Sequence, residues 1–323
     1  MKIGFAGASG HFQECLHTRY EDIFYAGYCK SAVSEDVSPV KGAFERLGLY
    51  PREFNDYEQM LNCGIDTVVV DGIFNTHADF IIRALKKNIN VISEKPLATT
   101  LEDYYKIKEE LSRSEGNIFS LLTMRYQDSF NTVKILLENN AIGQIRLINA
   151  QKSYKLGQRP DFYKNKKTFG GIIPWIGIHL IDLVLWFTGR KVIGLNAYSS
   201  SMFNGGNGDL ETAASVNMML EDEITAVAYM DYYRPDTSTT HGDDRIRIVG
   251  TKGIIEVQND EVYMNEIKVA KIPAISLFEA YLAKQTCDGM YAAEIALRAQ
   301  ISADNNKEKD NDVTRFSEYE DTV

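Results

Sequence analysis

The chain has 323 residues, 44% of them hydrophobic, with 45 acidic against 35 basic side chains and a formal net charge of -10. That size predicts two domains, and the apolar content suffices for a buried core. The acidic balance, with a pI near 5.1, argues against a nucleic-acid partner, whose binders present a basic face; small-molecule chemistry stays open, because the local charge of a cleft can oppose the global sign.

In chain order, the first third alternates short β-type runs with helix-like spacing. Strands are expected at Lys2–Ala6, Ile23–Cys29, Thr67–Val70, Asn90–Ser93 and Ile118–Leu122. Helices are expected between them at Phe12–Thr18, Val40–Leu47, Tyr57–Asn62, Thr76–Lys87 and Leu101–Ser114. Thr100 followed by Glu102 and Asp103 reads as a helix start, since acids favour the positive end of the helix dipole. Such alternation implies a doubly wound parallel sheet, with ligands at the carboxyl ends of its strands.

The pattern changes near Met124. A helix over Ser129–Asn139 ends at the Ala141-Ile142-Gly143 turn. Long β-type runs follow at Gln144–Lys155, Val192–Ser201, Thr212–Leu220, Ile224–Tyr233, Arg245–Val249, Gly253–Gln258 and Glu261–Asn265. Hairpin-like breaks at Glu221-Asp222-Glu223, Gly250 to Gly253 and Asn259-Asp260 imply a large, open, mostly antiparallel sheet. One long helix from Ile275 to about Ala303 is expected to close the fold, with a fraying polar tail from Asn305. The reading is an α/β protein with a dinucleotide-binding domain over 1–122 and an α+β domain over 123–323.

Cys15, Cys29, Cys63 and Cys287 are scattered and form no C-x-x-C pair, which argues against a zinc site or a disulfide framework; no metal is expected. Ile172 to Phe187 is the most apolar stretch, but His179 and Asp182 interrupt it, so no membrane span is expected. The N-terminus shows no long apolar region of a signal peptide, and a cytoplasmic protein is expected.

The turn after the first strand reads Gly7-Ala8-Ser9-Gly10-His11-Phe12. A dinucleotide fingerprint places glycines at its first, third and sixth positions. Here Gly7 fits, Ser9 takes the second place and Phe12 the third, with Gly10 as an extra small residue. The physical demand is a sharp turn whose amides meet a pyrophosphate. At the end of the second strand, Tyr28-Cys29-Lys30-Ser31 offers no acid for a ribose hydroxyl until Glu35, and Lys30 and Ser31 suit a 2′-phosphate; that leans the cofactor from NAD toward NADP. Further on, Ser93-Glu94-Lys95-Pro96 follows an apolar strand, so its lysine sits at the ligand crevice.

With the N-terminal glycine turn, Glu94-Lys95-Pro96, Arg125, the Ile142-Gly143-Gln144-Ile145 turn, Gly170-Gly171 and Gly177-Ile178-His179-Leu180-Ile181-Asp182, the chain resembles the Gfo/Idh/MocA oxidoreductases over nearly its whole length. The resemblance implies an NAD(P)-dependent hydride transfer at a hydroxyl or carbonyl carbon of a sugar, inositol or related polyol, with NAD or NADP as cofactor. It implies that Lys95 contacts substrate and stabilises oxyanion charge, and that His179 is the acid/base. Cofactor contacts then fall on Gly7, Ser9, Gly10, His11, Phe12, Lys30, Ser31, Asn75, His77, Glu94, Lys95 and Pro96. Substrate contacts fall on Lys95, Arg125, Tyr154, Tyr163, Trp175, His179 and Asp182, the last a candidate to orient the imidazole or to pair locally. The resemblance also implies a homodimer or homotetramer through the C-terminal sheet.

Two departures stand out. Many members carry an aspartate four residues before the histidine, where this chain has Trp175, and the common Pro-Asn after the third of these strands is Ile73-Phe74. They keep two alternatives in view: a non-catalytic dinucleotide-sensing regulator, and an NAD-dependent glycosidase of the same fold.

Overall fold

The computed structural model describes residues 1–285 and 289–310, with side chains through 307. The N-terminal layer is a six-stranded sheet of β1 (Lys2–Ala6), β2 (Phe24–Cys29), β3 (Arg52–Glu53), β4 (Thr67–Val70), β5 (Asn90–Ser93) and β6 (Ile118–Ser120), in the order β3-β2-β1-β4-β5-β6 with every pair parallel. All four residues of β4 are buried, as a strand covered on both faces requires. The crossovers carry α1 (Ser38–Arg46), α2 (Tyr57–Leu61), α3 (His77–Leu85) and α4 (Leu101–Leu111). Thr100 caps α4, its hydroxyl accepting from the Asp103 amide at 3.1 Å. Strand order reverses between β1 and β4, so their carboxyl ends flank the ligand crevice of such a sheet.

After α5 (Asp128–Glu138), an eight-stranded sheet takes over: β7 (Ile145–Tyr154), β8 (Val192–Ser200), β9 (Ala213–Leu220), β10 (Thr225–Asp231), β11 (Gly242–Gly250), β12 (Ile254–Gln258), β13 (Glu261–Met264) and β14 (Ile267–Val269). Its order is β14-β13-β12-β11-β7-β10-β9-β8, antiparallel except for the central β7–β10 pair. The Asn259-Asp260 turn joining β12 to β13 has both residues at positive φ, 52° and 59°, the geometry of a tight hairpin matched to strand twist. Inward positions of β7 alternate as Ile148, Ala150 and Lys152, all buried.

A helical run from Lys166 to Thr188 crosses beneath this sheet, from α6 (Lys166–Phe169) through one π-turn (Ile173–Gly177) into α7 (Ile178–Thr188). By length and composition it is apolar enough to cross a membrane, yet 94% of its most apolar window is buried within the protein. It is therefore the core helix that presents His179 and Asp182 to the domain junction.

Four expectations need correction. The Phe12–Thr18 helix is only a 3₁₀ turn over Phe12–Cys15; the Tyr25 hydroxyl bonds the backbone of Cys15 and His17 and holds the chain open there. The closing helix is two, α8 (Leu277–Leu282) and α9 (Met290–Asp310), because the chain turns left-handed at Lys284, φ 55°. Helix α9 also runs on past Asn305, anchored by Asn306 on the Ala197 carbonyl and Lys307 on Glu211. Finally, β3 and β14 are strands of two and three residues, too short for periodicity to mark them. Cys287 and the tail beyond Asp310 lie outside the described residues.

Candidate active site

The crevice begins at the glycine turn. Gly7 has φ 90°, and a Cβ there would sit 2.3 Å from the Gly72 Cα, so only glycine lets the turn after β1 lie against the loop after β4. Donors of this turn point toward the crevice and meet two acids. The Gly10 and Phe12 amides donate to Asp71 Oδ2 at 3.1 and 3.2 Å. The Ala8 amide and the Ser9 hydroxyl donate to Glu35 Oε1 at 3.1 and 2.7 Å, while the Ser31 amide donates to Glu35 Oε2 at 2.6 Å. The Phe12 ring itself is core.

Beside the turn, an open cleft of about 650 Å³ lies at the carboxyl ends of β2 and β3, lined in part by Lys30, Ser31, Phe54, Asn75 and Arg83. His77 is different from what the sequence suggested. It is fully buried, with Nδ1 2.8 Å from the Pro96 carbonyl and Nε2 2.8 Å from the Gly72 carbonyl. A neutral imidazole donates to one of these, and burial pushes its pKa down. His77 ties the β4 and β5 loops together, and its ring nitrogens face backbone rather than the cleft.

At the end of β5, Glu94 is fully buried, and its Oε1 lies 3.0 Å from His11 Nδ1 and 3.3 Å from Lys95 Nζ. The Lys95–Pro96 peptide is cis. Burial pushes the Lys95 amine down to about 8 against the pull of Glu94, and the charge of Lys152 adds to the fall. For Asp71 and Glu94 the directions differ. Burial and then the charge of Glu94 hold Asp71 well above the usual carboxylate range. Burial also opposes ionisation of Glu94, but His11 and Lys95 outweigh it and bring Glu94 down.

The second domain closes the crevice with α7. His179 is 4% exposed and its Nδ1 has no hydrogen-bond partner. Burial, then Lys95, Lys152 and His11, push the imidazole well below its ordinary value, so it is neutral at neutral pH. Asp182 does not orient it: Arg125 Nε donates to Asp182 Oδ2 at 2.7 Å and the guanidinium grips the second oxygen too. That pair ties the 3₁₀ turn Thr123–Tyr126 to α7. Trp175 stacks on Phe74 at 4.4 Å and meets Tyr163 edge-on at 5.8 Å. Tyr154 stacks on His241 at 5.0 Å.

The residues fit a nicotinamide dinucleotide. Paired amides already close on one carboxyl oxygen, as they do on a phosphate oxygen, and Ser31, which lines the cleft beside Lys30, shares Glu35 with that turn. Comparison with known proteins decides the family. Residues 1–121 match the oxidoreductase family with the NAD-binding Rossmann fold, and residues 130–256 match the GFO/IDH/MocA C-terminal domain. A solved Thermotoga maritima structure assigned as an oxidoreductase shares 38% identity over 95% of this chain and 98% of its own, with a TM-score of 0.92.

The chain belongs to the Gfo/Idh/MocA oxidoreductase family. Among its relatives, a myo-inositol 2-dehydrogenase of Thermotoga maritima is 27% identical over 236 residues, 72% of this chain and 67% of that protein. An inositol 2-dehydrogenase of Rhizobium meliloti is 24% identical over 204 residues, 63% and 60% respectively.

Within this Gfo/Idh/MocA crevice, sequence reasoning missed several residues. Lys152 is 3% exposed, bonded to Asp244 Oδ2 at 2.6 Å. A lysine in the inward phase of an alternating strand was the available signal. Asp71 follows three valines at a strand's carboxyl end, which was a signal of the same kind. Tyr232 lies under the Arg159 guanidinium at 4.3 Å, and Phe74 under Trp175; neither carries a pattern that distinguishes it from core. Glu35 lies six residues past β2 and reaches the turn only because the loop folds back.

Proposed function

We propose that this oxidoreductase interconverts a secondary hydroxyl and a ketone on a cyclic polyol or sugar. The observation that carries the reading is a buried lysine from the first domain whose charge acts on a buried neutral imidazole of the second. A bound nicotinamide dinucleotide would supply the hydride acceptor or donor. In the oxidising direction, His179 takes the hydroxyl proton, which its neutral form allows. Lys95, as an ammonium, stabilises the negative charge that develops on that oxygen. Trp175, Tyr163 and Phe74 wall the crevice and exclude water, strengthening both effects. The inositol dehydrogenases among the relatives support the polyol class.

Lys30 at the cleft favours a 2′-phosphate and hence NADP, whereas the Glu35 carboxylate beside Ser9 and Ser31 favours a free ribose hydroxyl and NAD. Parallel titrations of NADH and NADPH separate the two. The outer face of the second sheet supports pairing of two chains: Ile193, Tyr198, Met219 and Tyr229 are exposed there.

The test is purified protein with NAD and NADP against a panel of inositols and aldoses, following nicotinamide reduction. Cofactor-dependent turnover of at least one ring polyol is expected. Absence of turnover across the panel in both directions, with cofactor bound, would overturn the reading.

A further inference from the structure

The donors of the glycine turn are engaged by the protein's own carboxylates. Asp71 stands at the carboxyl end of β4 with no exposed surface. Its backbone carbonyl accepts from the Ser9 amide at 2.7 Å, and its Oδ2 accepts from both Gly10 and Phe12. Its Oδ1 is buried without a partner, and so is Glu94 Oε2. With the Ala8 amide and Ser9 hydroxyl on Glu35, a phosphate approaching the turn meets three acidic side chains, Glu35, Asp71 and Glu94, the last of them in contact with His11 and Lys95.

We propose that Asp71 is a resident acceptor that sets the affinity of the dinucleotide site, its Oδ2 holding the Gly10 and Phe12 amides until the cofactor's pyrophosphate displaces it. The inference rests on the dinucleotide reading above. A purely structural carboxylate would have both oxygens satisfied, as buried acids normally do; Asp71 has one satisfied oxygen and one orphan beside a second acid. Its seat is therefore poorly compensated except by the two amides that a phosphate also uses. Space agrees with this competition: a Cβ on Gly10 would lie 2.5 Å from Asp71 Oδ1, so the carboxylate lies directly against the turn.

The experiment measures dissociation constants by calorimetry for NADH, ADP-ribose and adenosine with the wild type, Asp71→Ala and Asp71→Val. Neither side chain offers the amides an acceptor; the valine keeps most of the volume and serves if the alanine variant fails to fold. Tenfold or greater tightening for NADH and ADP-ribose is expected, with adenosine unchanged because it carries no phosphate. Unchanged or weaker NADH binding in a folded variant overturns the role of Asp71, as does equal tightening for adenosine. If the wild type binds NADH and the variants match it, Asp71 alone is wrong. If no form binds a dinucleotide, the cofactor reading falls with it.

Discussion

Lys95 places its ammonium nitrogen 2.8 Å from the centroid of the Trp175 ring. A desolvated cation on an indole face gains about 2 kcal/mol, yet an uncharged ring stabilises an ammonium less than a carboxylate would. Burial therefore wins and the amine falls to about 8. Below that pH Lys95 is charged and able to stabilise an oxyanion; above it the charge is lost. His179 must be neutral to accept a proton, and its pKa lies well below 6.5. kcat/KM for polyol oxidation should be flat near neutrality, fall in acid as His179 protonates, and fall in alkali with a midpoint near 8. Lys95→Arg should remove the alkaline limb, because guanidinium stays charged. Trp175→Asp should move it upward, because a carboxylate favours the ammonium. An alkaline limb that ignores both substitutions rules out Lys95 as its source.

Lys152 offers a second handle on the same profile. Its charge depresses both Lys95 and His179, and its own partner is Asp244. Lys152→Met removes that charge, so both limbs of the pH profile should move upward. A change in stability alone would lower activity without shifting either limb, and a thermal melt alongside separates the two cases.

His179 and Asp182 share a helix but have separate tasks. Removing the base with His179→Gln should lower kcat by roughly 10²–10⁴-fold and leave the melting temperature close to wild type. Asp182→Asn should do the reverse, because it breaks a buried two-pronged contact with Arg125; a loss of roughly 3 kcal/mol is expected in denaturant titration, with the acid limb of kcat/KM unmoved. A shifted acid limb would mean that Asp182 acts on the imidazole after all.

Pairing through the second sheet predicts that its outward tyrosines are covered in solution. Tyr198 and Tyr229 lie in one cross-strand row through Ser215 of β9. Tyr229→Glu places a charge in that row and should convert a dimer or tetramer to a slower-sedimenting species. A wild-type chain that sediments at the 36.5 kDa monomer mass excludes the pairing.

Much of this architecture is legible from side-chain periodicity. Thr67–Val70 and Asn90–Ser93 emerge with the expected bounds, because buried parallel strands centre on adjacent β-branched apolar residues, here Val68-Val69-Val70 and Val91-Ile92. Lys95 and His179 are legible because charge and imidazole interrupt such runs. The partners are less so. Asp182 reads equally as a ligand for His179 or for Arg125, since spacing along one helix does not show which neighbouring element supplies the cation. Glu35 is hidden because its role depends on a loop folding back across β2. The helix expected after the glycine turn fails for a similar reason: the hydroxyl of Tyr25, on the next strand, takes backbone groups the helix needed.

Glu211 supplies a test of how the core helical run is held. It is 1% exposed, and it accepts from the Ile172 amide at 3.0 Å, from Lys166 and Lys307 at 3.0 Å each, and from the Gln300 amide at 3.1 Å. It thus joins the start of the apolar run to α9. Burial alone would raise its pKa, but the two lysines and the amide bring it down to about 2, from 4.5. A carboxyl lowered on folding stabilises the native state above its unfolded pKa, and that stability is lost as pH falls through the folded value. The contribution, roughly 3 kcal/mol at most, should be complete above pH 4.5 and vanish toward pH 2. Glu211→Gln should therefore lower the melting temperature at pH 7 and flatten the loss of stability over that acid window. If the variant melts with the same acid dependence as wild type, Glu211 is not the group that titrates.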